Sequence, residues 1–200
     1  MEEKIIFLLR HGALETNGKR FIGQIDLPLS EEGIWQAKGL AEELSHLPLT
    51  RIYASDLRRA RQTAAFIAVK HNLVPILCPE LREISLGEWE GRSFAEIRRE
   101  FPQDFIQRGR DITHFSPPAG ESFLQCSQRV LIQWQRIVAE TKGNILVVGH
   151  AGVNRIILCH ILGMPLENIF CLSQDYGCIN IISYSKERFR VKALNCRSIP

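Results

Sequence analysis

The chain has 200 residues, of which 45% are hydrophobic and 24% charged, and its net charge is +3. These values suit a soluble globular protein and give no bulk charge with which to hold nucleic acid or a membrane surface. A chain this long buries about 70% of its unfolded surface, so it needs no disulfide or metal staple.

In chain order, residues 4–10 ("KIIFLLR") read as a buried strand. Ser30 is a helix N-cap, and Glu31 and Glu32 favour the first turn through the helix dipole. Ile34, Ala37, Ala41, Leu44 and Leu47 then fall at helical spacing. "RIYAS" is a short strand. Ser55 caps the next helix, with Leu57, Ala60, Ala64, Ile67 and Ala68 on one stripe. Residues 75–77 are a further strand. "REISLGEWEGRS" is loop-like, and a short helix follows from Phe94. "FSPPAGES" is a turn-rich loop. A long helix from Glu121 carries Phe123, Val130, Leu131, Trp134, Ile137 and Val138 near one face. Residues 144–149 are a second buried strand and 153–162 a helix. Residues 179–184 and 188–193 form a closing hairpin around "SKER". Strands alternating with helices predict an α/β fold with a mainly parallel sheet.

The acidic start "MEEK" leads directly into a strand and does not resemble a signal peptide. No apolar run approaches the roughly 20 residues that span a bilayer. The six cysteines, at 78, 126, 159, 171, 178 and 196, form no C-x-x-C pair. They are expected to be reduced thiols in the cytoplasm rather than a zinc site.

Two stretches share a pattern. "IIFLLRHGA" ends an apolar run in Arg10, His11 and Gly12. "NILVVGHAGV" ends another in Gly149, His150, Ala151 and Gly152. In α/β sheets, ligands bind beyond the carboxyl ends of the strands. Both strands therefore deliver a histidine to that edge. Histidines and arginines gathered at one point repel one another unless an anion joins them. Arginine forks match phosphate oxygens, and the glycines let backbone approach a bound group. The inferred ligand is a phosphate. Taken alone, either histidine is equally well a strand-end residue in solvent; the repetition favours a site.

"LLRHG" resembles the signature of the histidine phosphatase superfamily, the phosphoglycerate mutase-like fold. "FIGQIDLPLSEEGIWQA", "YASDLRRARQTA", "LREISLGEWEG", "PPAGES" and "VVGHAGV" are similar to its further motifs, in the same order. The resemblance implies a single domain over 1–200, a three-layer α/β/α sandwich around a mainly parallel sheet. It implies His11 as the nucleophile that becomes phosphohistidine. Arg10, Arg59 and His150 would hold the phosphoryl oxygens, with no metal and no cofactor. Like charge from Arg10 and Arg59 would keep His11 neutral, and a backbone carbonyl on its other ring nitrogen would fix the tautomer.

"SDLRRARQTA" holds three arginines. By helical wheel Arg61 lies nearest the apolar stripe; the family motif selects Arg59, and Arg58 is expected in solvent. Glu83 matches the family's general acid. Glu88 and Glu90 share its loop and are expected to be exposed charges, and Trp89 to pack beneath it. Asn17, or Thr16 in its place, together with Gly23, Gln24 and Ala151, are candidates for phosphate or substrate contact.

The run "RHGALETN" departs from the family's R-H-G-E-T-x-x-N by placing Ala13 and Leu14 where Glu-Thr is usual. Ala13 and "KRFIGQIDLPLSEEG" look most like the branch that contains α-ribazole phosphatases. Little room remains between Gly91 and Pro117 for a mutase's closing insertion, which favours hydrolysis. The expected partner is a small-molecule phosphomonoester, with no nucleic acid and no membrane. The alternatives are a broad small-molecule phosphatase or mutase, and a silent phospholigand-binding module. The complete set of core residues argues against the module. "LRRAR" and "IRRE" raise a nucleic-acid binder, disfavoured by the modest charge and the lack of interleaved aromatics.

Overall fold

The computed structural model describes residues 3–16 and 18–199. Six strands form one sheet in the order β3-β2-β4-β1-β5-β6. They are β1 (Lys4–Arg10), β2 (Leu49–Ala54), β3 (Ile76–Leu77), β4 (Asn144–Gly149), β5 (Ile179–Ser185) and β6 (Arg188–Cys196). β4 lies between β1 and β2 and runs parallel to both, and β3 runs parallel to β2. β5 and β6 add an antiparallel hairpin on the β1 side. The sheet is therefore mixed, and its parallel part is the sheet expected from the alternation of strands and helices.

The central strands are buried on both faces, which is why they read as unbroken apolar runs. Ile6, Leu8, Ile145 and Val147 face one core. Phe7, Leu9, Leu146 and Val148 face the other. Helices α5 (Phe123–Glu140) and α6 (Ala151–Leu162) cover the first face through Val130, Trp134, Ile137, Ile156 and Ile157. Helices α1 (Glu31–Leu44) and α2 (Arg58–His71) cover the second through Leu40, Leu44, Ala60, Ala64 and Ile67. Short helices α3 (Phe94–Glu100) and α4 (Pro102–Arg110) lie between the acid-bearing loop and α5.

Several local expectations shift. Ser30 caps α1, its side chain accepting from the Gly33 amide. Leu47 falls beyond the end of that helix. Ser55 does not cap α2: the N-cap is Leu57, and the Arg58 amide donates to Asp26 Oδ1 at 2.6 Å. α5 starts at Phe123 with Ser122 in a capping box. Glu121 stays outside because it holds Arg129 and the Ser85 amide. α6 begins two residues early, at Ala151, so His150 is its N-cap. α4 is not legible in the sequence: it is short, fully buries no residue, and packs Phe105 half-buried against the core.

Candidate active site

The register of β1 and β4 builds the centre of the site. Arg10 pairs with Gly149, so the next residues, His11 and His150, leave the sheet side by side. Their ring centroids lie 5.0 Å apart in an edge-on arrangement. His11 is 3% exposed and His150 is fully buried. Beyond His11, the chain turns tightly under α1. A Cβ on Gly12 would sit 2.5 Å from the Gly33 carbonyl oxygen, so this close approach requires glycine.

Nδ1 of His11 lies 2.8 Å from its neighbour's carbonyl oxygen, that of Gly12. A carbonyl only accepts, so the proton resides on Nδ1 and Nε2 carries the free lone pair. Burial holds the His11 pKa well below the usual imidazole value, reinforced by the charges of Arg59 and Arg10. The sequence had suggested like charge alone; burial is the larger cause. The same causes, burial first and then Arg59, keep His150 neutral.

Arg59 enters from the second residue of α2 and is 1% exposed. Its Nη1 donates to the Ile25 carbonyl at 2.8 Å and its Nη2 to that of Gly23 at 2.5 Å. Its Nε donates to His150 Nδ1 at 3.3 Å. Burial lowers the guanidinium pKa, while Glu83, Asp26 and Glu90 act against that. Arg61, nearest the apolar stripe by helical wheel, is exposed, as is Arg58. Arg10 donates to the Gln174 carbonyl at 2.6 Å, and its guanidinium lies 3.7 Å from the ring centre of Tyr176. Tyr176 also flanks His11, at 5.6 Å between ring centres. In "QDYG" an aromatic between an acid and a glycine gives no sign of this placement beside Arg10 and His11.

Glu83 is 7% exposed and sits against the first turn of α6. Its Oε2 accepts from the Gly152 amide at 2.9 Å, and its Oε1 from the Ile84 amide at 3.0 Å. A Cβ on Gly152 would lie 2.5 Å from Glu83 Oε1, so the glycine admits the carboxylate. Arg129 steadies the acid's loop by donating to the carbonyls of Glu80, Arg82 and Glu83. Beside Glu83 opens a cavity of about 150 Å³, lined among others by Phe21, Arg108, Ala151, Gly152 and Phe170.

Two buried donors in this cluster have no hydrogen-bond partner among the described residues: Arg10 Nε and His150 Nε2. Since Nδ1 of neutral His150 accepts from Arg59, its proton is on Nε2. The cluster thus combines one nucleophilic lone pair with orphaned donors and fixed positive charge. That is the complement of a tetrahedral oxyanion.

The remaining candidates divide. Gly23 serves Arg59 through its carbonyl, and Gln24 donates Nε2 to the Glu83 carbonyl at 3.0 Å. Thr16 is half-buried, and among the described residues no hydrogen bond joins it to the cluster. Asn17 lies outside the described residues. Glu88 is exposed and Trp89 is fully buried, both as expected. Glu90 is not an exposed loop charge. It is half-buried and accepts from the amides of Gly23, Gln24, Ile25 and Leu86.

All six cysteines are free thiols. No helix among the described residues is long and apolar enough to cross a membrane.

Residues 6–197 match the model of the histidine phosphatase superfamily, branch 1. The adenosylcobalamin/alpha-ribazole phosphatase of Salmonella typhimurium is 31% identical over 196 residues, covering 97% of each chain. Phosphoserine phosphatase 1 of Hydrogenobacter thermophilus is 31% identical over 192 residues, covering 95% of this chain and 91% of that protein. The crystal structure of the alpha-ribazole phosphatase from Shigella flexneri superposes with a TM-score of 0.91 at 30% identity, covering 98% of both chains. By family and by these relatives the chain is a phosphomonoester hydrolase. It belongs to branch 1 of the histidine phosphatase superfamily.

Proposed function

We propose that this enzyme works through a phosphohistidine on His11, without a metal, and that its substrate is α-ribazole 5′-phosphate. The observation that carries the mechanism is the locked tautomer of His11 among orphaned donors. The Nε2 lone pair attacks phosphorus while the bond to the leaving oxygen breaks. Nδ1–H stays on the Gly12 carbonyl throughout. Arg10, Arg59 and His150 take the equatorial oxygens as their charge redistributes, each such donor contributing a factor of about 10² to 10³. The positive charge of Arg10 and Arg59, with the N–H of neutral His150, does what a metal does elsewhere. Glu83 gives a proton to the leaving oxygen. It then takes one from the water that attacks phosphohistidine, releasing phosphate and neutral His11.

The substrate reading rests on the relatives' names and on the cavity beside Glu83. Phe94 and Phe170 line that cavity and are 38% and 51% exposed, a surface suited to a flat heteroaromatic leaving group. Six free thiols suit a reducing cytoplasm. A second reading, a phosphatase of small acids such as phosphoserine, is favoured by Arg108. This residue lines the cavity between the rings of Phe21 and Phe170 and has no ion pair among the described residues.

The test is phosphate release in EDTA from α-ribazole 5′-phosphate, phosphoserine, 3-phosphoglycerate and p-nitrophenyl phosphate, with His11→Ala as control. Activity that survives EDTA, disappears in the variant and favours α-ribazole 5′-phosphate upholds the proposal. Preference for phosphoserine selects the second reading. Folded protein inactive on every ester leaves a phospholigand-binding module.

A further inference from the structure

We infer that Glu90 is a positioning residue for phosphate transfer, acting through Arg59. Its carboxylate gathers three consecutive amides. Oε2 accepts from Gly23 at 3.0 Å and Ile25 at 3.3 Å, and Oε1 from Gln24 at 2.6 Å. Oε1 also accepts from the Leu86 amide at 3.2 Å, within the loop that carries Glu83. The carbonyls of Gly23 and Ile25 in turn receive the two terminal nitrogens of Arg59. The 23–25 strap therefore lies between an anion that binds its N–H groups and a cation that binds two of its carbonyls. The Gly23–Gln24 peptide is held at both ends, its carbonyl by Arg59 and its N–H by Glu90, so fixing the strap at Glu90 fixes the plane of the guanidinium.

Space confirms the fit. A Cβ on Gly23 would lie 2.3 Å from the Ile84 carbonyl oxygen and 2.4 Å from Glu90 Oε1. Gln24 closes the same clamp from the other side, its Nε2 on the Glu83 carbonyl. One carboxylate thus joins the segment that aims Arg59 to the loop that aims Glu83. A loop charge that served solubility alone would have no reason to be half-buried with four amides.

The inference rests on Arg59 as a phosphate donor, which Arg59→Ala tests separately. In Glu90→Gln the side-chain amide turns an N–H₂ toward backbone N–H groups, which breaks the clamp with little change in volume. The expected result is a rise of about 10-fold to 100-fold in the competitive inhibition constant of inorganic phosphate, with a parallel fall in kcat. In an Arg59→Ala background the same change should add less than about 2-fold, because residues acting through one another are not additive. Glu90→Asp, which keeps the charge on a shorter arm, should be intermediate, and it replaces Glu90→Gln if that variant does not fold. Glu88→Gln, on the same loop but exposed, should match the wild type.

An unchanged phosphate constant in folded Glu90→Gln overturns the inference, as does an equal loss in both backgrounds. In that case Glu90 supports the fold alone. If Arg59→Ala itself binds phosphate normally, the reading of the site fails instead.

Discussion

Arg59 and His150 are joined by a bond from Nε to Nδ1 at 3.3 Å, with both residues shut off from solvent. The bond decides which nitrogen of His150 keeps the proton, so the arginine sets the donor that faces the orphaned side of the ring. Arg59→Lys keeps the charge. A single ammonium cannot hold the Gly23 and Ile25 carbonyls and His150 at once. We expect kcat/KM to fall about 10²-fold. Arg58→Lys, one residue away on the exposed face, should leave kcat/KM unchanged; equal loss in both would remove the special standing of Arg59.

Glu83→Gln should separate the two halves of the reaction. p-Nitrophenolate leaves without a proton, so phosphorylation of His11 persists, whereas attack by water loses its base. The phosphoenzyme should accumulate as an acid-labile, base-stable phosphoprotein. On alkyl phosphates, both steps suffer and turnover falls by about 10² to 10⁴. Absence of labelled protein after mixing with ³²P-labelled ester, with His11 intact, contradicts the phosphohistidine route.

The buried histidines carry a pH signature. Each has a folded pKa below its unfolded value, so below about pH 6.5 the unfolded chain binds protons that the folded chain refuses. Stability is complete above that pH and is lost as pH falls from there toward the folded values. The slope is about 1.4 kcal/mol per pH unit for each histidine. Urea unfolding at pH 7.5 and 5.5 measures it, and His11→Gln should flatten the dependence by one histidine's share. The acid limb of kcat/KM set by His11 should likewise lie below pH 6.5.

Substrate choice should turn on the cavity rim. Phe170→Ala removes a half-exposed ring and should not disturb the core. For α-ribazole 5′-phosphate we expect about 10-fold lower kcat/KM, from roughly 1–1.5 kcal/mol of lost ring contact. Ribose 5-phosphate, which has no base to stack, should be unaffected. Arg108→Ala should slow phosphoserine most if the small-acid reading holds. Equal losses on all three esters would give these residues no part in selection.

Much of this site could be read before the structure. The two apolar runs ending in His11 and His150 mark themselves, because strands buried on both faces admit no alternation. The choice of Arg59 over Arg61 came from the family motif and not from periodicity: the helix turns Arg59 inward at its first turn, where the wheel counts poorly. Glu90 was misjudged because all its partners are backbone amides, three of them more than 60 residues away. A main-chain donor has no side-chain signature. The cap of α2 was missed for the same reason, since Asp26 reaches it from a distant loop. Tyr176 is visible only once the turn after Gln174 folds back over Arg10.

The insertion of β4 between β1 and β2 governs how the enzyme comes into being. While the ribosome has delivered only the first 140 residues, those two strands have no common neighbour, and the gap meant for the third is open. The edges of β1 and β2 that will flank β4 then wait for a partner, each a template for pairing with another nascent chain. The slot closes when residues 144–149 emerge, and the same event brings His150 beside His11. Catalytic competence therefore cannot precede the insertion of β4. First turnover in a cell-free synthesis would serve as a clock for the insertion of that strand.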